Sequence, residues 1–347
     1  EFITTYKEGY PLIAKESVLS WDKVTEEGML LNLVDSKGRF ILKAYHGVQN
    51  KGYGWALSQK KDEKIDSNFF SKKINSALEY RKEFFDDKTT TAFRVLNGEG
   101  DGLGGLTIDY FDGFYLLTWY SLGIYEFKSE ILEALKSCVE YKGIYQKKRF
   151  DSKGKYLDEK DDFICGEKAE SPILVKENEI NFAIYLDDGA MVGVFLDQRD
   201  VRRTIKEKYA RGKTVLNTFS YTGAFSVAAA LGGSTKTTSV DLAKRSLKKT
   251  SEQFEINNID VKRQEIIVED AFNYFKYAVK KNLSFDVVVL DPPSFARSKK
   301  RTFSASKDYV NLLKEAIQIT KKDGMIVAST NSANFSMMTF SDFISKA

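Results

Sequence analysis

VLNTFSYTGAF, residues 215–225, passes from a buried-type strand through a glycine-bearing turn into an apolar helix. Similar units surround it. Buried-type strands are predicted at 214–217, 237–241, 265–268, 285–291 and 325–329. Helices are predicted between or after them, at 223–231, 243–257, 271–280 and 306–322. Strands that alternate with helices at this spacing predict a parallel, doubly wound α/β sheet of the Rossmann-like class.

Acidic residues stand at three of the predicted strand ends. In a doubly wound sheet, ligands bind beyond the carboxyl ends of the strands. Asp241 is placed to accept hydrogen bonds from the ribose hydroxyls of an adenosine, and Asp270 from its adenine amino group. Asp291 ends the fourth strand. One such acid usually caps the following helix, but three in one unit form a pattern that fits an adenosine.

The turn at Gly223 places backbone close to any ligand at this edge of the sheet. It does not have the GxGxxG pattern of a dinucleotide site, which disfavours a nicotinamide-dependent oxidoreductase. The chain has four prolines, and two of them, Pro292 and Pro293, follow the most apolar strand. A Pro-Pro pair stiffens the loop and leaves carbonyl groups facing a ligand.

These motifs resemble those of a known family. The sequence 291–295, DPPSF, is similar to the fourth motif of class I S-adenosylmethionine (SAM)-dependent nucleic-acid methyltransferases. Residues 217–225 resemble the first motif of one branch of these enzymes. Two other segments, 195–200 (FLDQRD) and 98–103 (GEGDGL), also resemble that branch. That branch contains the large-subunit ribosomal RNA (rRNA) methyltransferases with an N-terminal PUA domain, relatives of the bacterial rRNA cytosine-5 methyltransferase. The resemblance covers nearly the whole chain.

The resemblance implies SAM as the cofactor and RNA, in particular rRNA, as the substrate. The methionine part of SAM would lie in the turn formed by Phe219, Ser220, Tyr221, Thr222 and Gly223. The ribose would be bound by Asp241 and the adenine by Asp270, with Gln198 and Arg199 on the cofactor side of the pocket.

The same resemblance implies how the target base is held. Asp291 and the carbonyl groups of Pro292 and Pro293 would hydrogen-bond its edge, and Phe295 would stack on it. A base inside a duplex cannot reach a methyl donor, so it must be flipped out or already unpaired.

One position departs from the family pattern. Cytosine-5 enzymes use a cysteine thiolate that adds to the base and activates its carbon. Asn331 stands where that cysteine would be, and neither Cys138 nor Cys165 is well placed to replace it. A nitrogen already carries a lone pair, and an Asn beside the site resembles related guanine-N7 ribosomal enzymes. Both target chemistries stay open, and the sequence leans slightly to nitrogen.

Three domains are expected. Residues 1–66 form a β-rich, PUA-like RNA-binding domain, 67–178 an α+β middle domain, and 179–347 the SAM-dependent methyltransferase domain. In the first, a turn at 35–38 separates two short strands; in the second, Ser67 or Asn68 caps a helix and 151–162 form a charged loop. The family sheet usually ends with an antiparallel strand pair, which we expect to be missing here.

Composition excludes several other classes. No stretch approaches the roughly 18 apolar residues of a membrane span, and no secretory signal is visible, so a cytoplasmic protein is expected. Two cysteines without a CxxC and the single His46 predict no metal site. The net charge of +4 permits an RNA partner, although basic clusters such as 147–149 and 202–203 are typical of solvated faces. A homodimer stays open.

The main alternative is a catalytically inactive RNA-binding protein that keeps a methyltransferase-like fold. Asn331 favours it, whereas Asp241, Asp270 and Asp291 disfavour it, because a binding-only protein has no use for an adenosine pocket. A small-molecule methyltransferase is disfavoured by the PUA-like module.

Overall fold

The structure, a computed structural model, describes residues 2–49, 52–150, 162–189, 191–297 and 302–347. The chain divides into two compact units. The first contains Glu1–Lys176 and Ile184–Val192, and the second contains Glu177–Ala183 and Gly193–Ala347. None of the helices in the described ranges combines the length and hydropathy that crossing a bilayer requires.

The first unit begins with helix α1 (Phe2–Lys7) and an antiparallel sheet of order β1-β4-β3-β2. Its strands are β1 Leu12–Ile13, β2 Leu30–Val34, β3 Phe40–Gln49 and β4 Gly52–Ser58. The predicted turn at 35–38 is confirmed: the Asp35 Oδ1 atom accepts hydrogen bonds from the backbone N–H groups of Lys37 and Arg39, both at 2.9 Å. His46 lies within β3 and packs against Trp21 and Tyr53.

A second sheet of the first unit has the order β5-β6-β7-β8-β9. Its strands are β5 Ala92–Asn97, β6 Leu106–Phe111, β7 Phe114–Trp119, β8 Gly143–Lys148 and β9 Phe163–Gly166. Strands β7 and β8 are parallel, and the other neighbours are antiparallel. The helices are α2 Ser67–Tyr80, α3 Lys82–Asp86, α4 Leu122–Tyr125 and α5 Lys128–Cys138.

One core serves both sheets of the first unit. Tyr45 and Trp55 of the first sheet belong to the same buried cluster as Leu117 and Ile144 of the second. The boundary at residue 66 therefore stays a prediction. The expected cap of α2 is wrong, because the side chain of Asp66, not Ser67 or Asn68, accepts the hydrogen bond from the Phe69 N–H. The charged loop predicted at 151–162 lies almost entirely outside the described residues.

Cys138 and Cys165 are both free thiols of the first unit. Cys138 is partly buried and packs against the core. A two-stranded ribbon of β10 (Ile173–Glu177) and β11 (Ile180–Ile184) carries the chain between the units.

The second unit contains a parallel sheet of order β14-β13-β12-β15-β18. Its strands are β12 Thr214–Thr218, β13 Lys236–Asp241, β14 Glu265–Val268, β15 Phe285–Leu290 and β18 Thr320–Ala328. Between the last two lies the antiparallel pair β16 (Phe295–Arg297) and β17 (Thr302–Ser304). The helices are α6 Arg199–Thr204, α7 Ala224–Leu231, α8 Arg245–Glu255, α9 Ala271–Lys280, α10 Ala305–Gln318 and α11 Met337–Lys346.

Side chains alternate across this sheet into two cores. Leu216 and Val288 pack with α9 and α10 on one face, and Val215 and Val287 pack with the α6–α7 side on the other. The predicted doubly wound sheet is thus confirmed, and the strand order reverses between β12 and β15. In the part of the chain that the structure describes, this sheet has five strands. The helix predicted at 306–322 is too long, because β18 already begins at Thr320.

Candidate functional site

The turn after β12 has an unusual backbone. Phe219, Tyr221 and Gly223 have φ angles of 55°, 52° and 77°, in the left-handed region that favours glycine. Hydrogen bonds hold this path: the Tyr221 N–H donates to Asp241 Oδ2 at 2.8 Å, and the Gly223 N–H donates to the Ser220 carbonyl at 2.7 Å. Local strain that the surroundings maintain in this way is typical of functional sites.

Gly223 leaves no room for a side chain. An added Cβ would lie 2.5 Å from Thr250 Cγ2. The neighbouring Thr222 donates its hydroxyl to the Gly193 carbonyl at 2.6 Å, and the Tyr221 ring packs on Phe195 with centroids 5.5 Å apart. The segment 193–199 is therefore attached directly to the turn.

Gln198 and Arg199, which the sequence placed on the cofactor side, stand at the junction of a 3-10 turn and α6 within this segment. Both side chains are partly exposed. The segment that carries this pair contacts the turn 219–223 through Gly193 and Phe195, where β12 ends.

Two buried hydroxyl groups near the turn have no hydrogen-bond partner among the described residues. They are Ser220 Oγ, in the turn itself, and Thr250 Oγ1, beneath Gly223. Buried polar groups are rarely left unsatisfied, because each costs about 1–3 kcal/mol. Ser220 Oγ, which lies in the turn itself, is therefore a candidate to hydrogen-bond a ligand at this edge of the sheet.

The carboxylates of Asp241 and Asp270 are already engaged with backbone groups. Asp241 Oδ1 accepts from the Ala243 N–H at 2.8 Å, in addition to its bond with Tyr221. Asp270 caps α9, since its Oδ1 accepts from the N–H groups of Phe272 and Asn273 at 3.0 and 3.3 Å. A carboxylate offers about four lone-pair sites, so both groups keep acceptor capacity.

Asp291, directly after β15, is partly buried beside the end of β18. Burial raises the pKa of Asp291 above its ordinary value of 3.8, and the negative charge of Asp197 adds to the rise. A hydrogen bond from the Ser329 hydroxyl to Asp291 Oδ1 and the positive charge of Arg202 offset part of it. Burial and the charge of Asp291 also raise the pKa of Tyr309, which donates its hydroxyl to the Ser329 carbonyl at 2.6 Å. The environment of Asp291 therefore disfavours its ionised form.

The loop after Asp291 presents one aromatic ring to solvent. Pro292 is buried and Pro293 is exposed, and 62% of Phe295 is exposed. The Ser294 hydroxyl donates to Asn331 Oδ1 at 2.5 Å, which brings this loop together with the segment after β18. Because the amide oxygen of Asn331 is engaged, its amide nitrogen is the donor that this residue can offer to another group.

Sequence reasoning missed three features of the structure. It took Arg202 for part of a solvated basic cluster, but Arg202 is buried and forms an ion pair with Glu177. Lys147, from another such cluster in the first unit, is likewise buried and paired with Asp162. Sequence reasoning also gave no role to Ser329, which the pairing of β15 with β18 brings to Asp291, or to Tyr309 of α10, whose hydroxyl donates to the Ser329 carbonyl.

Of the basic residues that follow Phe295, Arg297 is described and is exposed, and residues 298–301 lie outside the described ranges. Within the described ranges, no group of His, Cys, Asp and Glu side chains is arranged to hold a metal ion.

Comparisons with known proteins agree with this geometry. The family model "S-adenosylmethionine-dependent methyltransferase" matches residues 94–343, and the model "PUA-like domain" matches residues 2–59. "Putative ribosomal RNA large subunit methyltransferase YwbD" of Bacillus subtilis (strain 168) is 57% identical over 343 residues, which are 98% of this chain and 86% of that protein. "Ribosomal RNA large subunit methyltransferase I" of Pseudoalteromonas translucida (strain TAC 125) is 31% identical, over 92% of this chain and 81% of that protein.

A solved structure is similar over the whole fold. SMU.776 in complex with SAH matches with a TM-score of 0.91 and 39% identity, over 99% of this chain and 87% of that chain.

Proposed function

This chain belongs to the family of SAM-dependent methyltransferases, and from that premise we propose that it methylates a base of large-subunit rRNA. One observation carries the proposal: Asp241, Asp270 and Asp291 stand at the carboxyl edge of one parallel sheet, beside a Pro-Pro loop with an exposed Phe295. The names of the two curated relatives and the PUA-like domain support rRNA as the substrate.

The residues at this edge fit SAM as the cofactor. When bound, SAM supplies a methyl group on a sulfonium centre. The turn formed by Phe219, Ser220, Tyr221, Thr222 and Gly223 takes its methionine part, where the unpartnered hydroxyl of Ser220 can donate or accept a hydrogen bond.

The nucleoside part of the cofactor has two acceptors. Asp241 accepts from the ribose hydroxyls and Asp270 from the adenine amino group, each through lone pairs that the backbone contacts leave free. Gln198 and Arg199 line the cofactor side, on a segment that is fastened to the turn through Thr222.

The target base is held on the other side of the Pro-Pro loop. Phe295 offers an exposed ring for stacking, and stacking of a base on an aromatic side chain contributes about 1–3 kcal/mol. The Asp291 carboxylate and the carbonyl groups of Pro292 and Pro293 accept hydrogen bonds from the edge of the base. Because the methyl transfer needs an aligned acceptor, the base enters this site unpaired or flipped out.

We infer that the methyl acceptor is a nitrogen of the base. Cytosine-5 chemistry needs a thiolate nucleophile, but both cysteines of the chain belong to the first unit, and the second unit contains none. Asn331, in the position of the family cysteine, offers an amide nitrogen as donor instead. A nitrogen lone pair needs alignment with the methyl group rather than covalent activation.

Methyl transfer from labelled SAM to purified rRNA fractions tests the activity. We expect label in large-subunit rRNA and its loss in the Asp291→Ala variant, whereas Asp342→Asn, which changes an exposed residue of α11, should behave like the wild type. SAM binding is measured alongside by calorimetry. A wild-type chain that binds rRNA but not SAM would support the inactive RNA-binding alternative.

The target atom is decided by nucleoside mass spectrometry of rRNA from a deletion strain. We expect the loss of a methylated nucleoside whose methyl group is on nitrogen. Loss of 5-methylcytosine would refute this part of the proposal and leave the rest intact.

A further inference from the structure

Among the described residues of the second unit, one ion pair is completely buried. Arg202 of α6 and Glu177 of β10 have side chains that are 2% and 1% exposed. The pair is bidentate: Arg202 Nε donates to Glu177 Oε1 at 2.7 Å, and Nη2 donates to Oε2 at 2.6 Å. Such a pair requires two charges to leave water, so burial of this kind is weak support for a role in stability alone.

Arg202 also makes a third hydrogen bond, which reaches the site. Its Nη2 atom donates to the carbonyl oxygen of Phe195 at 2.7 Å. The guanidinium group lies between two rings, 5.7 Å from the centroid of Phe182 and 5.7 Å from that of Phe225, so it cannot easily rotate away. Phe225 belongs to α7, directly after the turn 219–223.

The Phe195 carbonyl is thus hydrogen-bonded to the buried Arg202, while other groups of the segment 193–199 contact the turn 219–223. The Phe195 ring packs on Tyr221, and the Gly193 carbonyl accepts from Thr222. Gln198 and Arg199 follow within this segment, and Asp197 lies close enough to influence Asp291. The Phe195 carbonyl thus belongs to a segment that contacts the turn 219–223 and also carries Gln198, Arg199 and Asp197.

We propose that Arg202, fixed by Glu177, is a positioning residue that holds the segment 193–199 against the turn 219–223 and so sets the affinity for SAM. This inference rests on the proposed function, because it assigns that segment to the cofactor pocket. Arg202 itself is buried; it acts on the cofactor pocket through the Phe195 carbonyl, apart from the effect of its charge on Asp291. This role requires a guanidinium group, because its planar arrangement of N–H donors forms two hydrogen bonds with the Glu177 carboxylate and a third with the Phe195 carbonyl.

The Arg202→Lys variant tests the role. Lysine keeps the positive charge for Glu177 but lacks the planar fork that binds the carboxylate and the Phe195 carbonyl together. We expect the Kd for SAM, measured by calorimetry, to rise about tenfold or more, as loss of a hydrogen bond from a charged donor predicts. In steady-state assays with rRNA, the KM for SAM should rise more than kcat falls. Hydrogen exchange of the backbone amides in 193–199 should become faster.

The matched control is Asp286→Asn. Asp286 lies at the opposite end of β15, where it pairs with Lys321 and accepts from Thr214, and it does not touch the segment 193–199. This variant should lower the Tm without changing the Kd for SAM. If it weakens SAM binding as much as Arg202→Lys does, general loosening explains both results and the proposal is wrong.

A second variant keeps the test decisive if Arg202→Lys does not fold. Thr222→Val removes the hydroxyl that fastens Gly193, without leaving any buried charge unpaired. It should also raise the Kd for SAM and speed exchange in 193–199. Unchanged SAM binding in a folded Arg202→Lys, or in Thr222→Val when the first variant fails to fold, overturns the proposal. A wild-type chain that does not bind SAM contradicts the proposed function itself, which is a separate result.

Discussion

The two ends of strand β15 carry the same residue type in opposite environments. At the amino end, burial alone would raise the pKa of Asp286, but hydrogen bonds from the Thr214 N–H, from Lys321 and from the Thr214 hydroxyl outweigh it and hold the pKa well below 3.8. At the carboxyl end, burial of Asp291 prevails over the single bond from Ser329, and its pKa is raised. The ionised form is thus favoured at one end and disfavoured at the other.

This difference separates a structural acid from the acid that we propose binds the target base. Asp286 has three donors and connects β12, β15 and β18 where the strands begin. Among the described residues, Asp291 accepts one side-chain hydrogen bond, from the Ser329 hydroxyl, so a base that supplies N–H groups would complete its hydrogen bonding. A carboxylate that a fold leaves unsatisfied at a ligand edge is a candidate for substrate recognition.

The largest effect that would sharpen this comparison is on activity. Asp291→Asn keeps the shape of the side chain but removes the charge that accepts from the base. We expect methyl transfer to fall at least about a hundredfold, while SAM binding stays near normal. Because ionised Asp291 is disfavoured in the folded state, the Tm at neutral pH should stay equal or rise. Methyl transfer within a few-fold of the wild type would remove Asp291 from the site.

The next effect concerns stability at the other end. Asp286→Asn removes the negative charge that accepts hydrogen bonds from Lys321 and from the N–H and hydroxyl groups of Thr214. This change should lower the free energy of unfolding by about 1–3 kcal/mol. Urea denaturation measures this, and SAM binding of the folded variant provides the control. Equal stability of Asp286→Asn and the wild type would break the comparison, since Asp286 would then not be a structural acid.

The sequence predicted most of the second unit because local patterns specify it. Buried parallel strands are apolar runs and the helices between them have a period near 3.6, so both could be located without knowing their neighbours. The site at the carboxyl edge followed from topology, because parallel strands place their ends together. The turn at Gly223 was recognisable because glycine between a strand and a helix is typical of a tight turn, and its φ of 77° and the closeness of Thr250 require glycine there.

Other features could not be predicted because they depend on contacts distant in sequence. Arg202 resembles a surface residue until β10 brings Glu177 to it, and Ser329 meets Asp291 only through strand pairing. The start of β18 was misplaced because its first residues, Thr320, Lys321 and Lys322, have the polarity of a helix end. Asp66 was overlooked as a cap because Ser67 and Asn68, equally good capping residues, follow it directly.

A smaller effect is the decrease in the free energy of unfolding at acidic pH. The folded-state pKa of Asp286 is depressed, so its contribution is present at neutral pH and is lost as pH falls below about 3.8 towards the folded-state value. Asp291 has the opposite sign and opposes this loss slightly. In urea denaturation between pH 5 and pH 3, the wild type should therefore lose more stability than Asp286→Asn. Parallel curves for the two proteins would show that Asp286 is not the acid-sensitive group.

The smallest expected effect concerns Ser329, a donor to Asp291 that can be removed without changing the carboxyl group itself. The Ser329 hydroxyl favours the ionised form, so Ser329→Ala should raise the pKa of Asp291 further. Asp197, Arg202 and Tyr309, the other groups facing this carboxyl, stay unchanged. If methyl transfer requires the carboxylate, the acid limb of the profile of kcat/KM against pH moves to higher pH, with near-normal rates above it. Ser294→Ala, whose hydroxyl meets Asn331 instead, should leave the limb in place. A limb that stays or moves to lower pH in Ser329→Ala would show that another group, not Asp291, controls this ionisation.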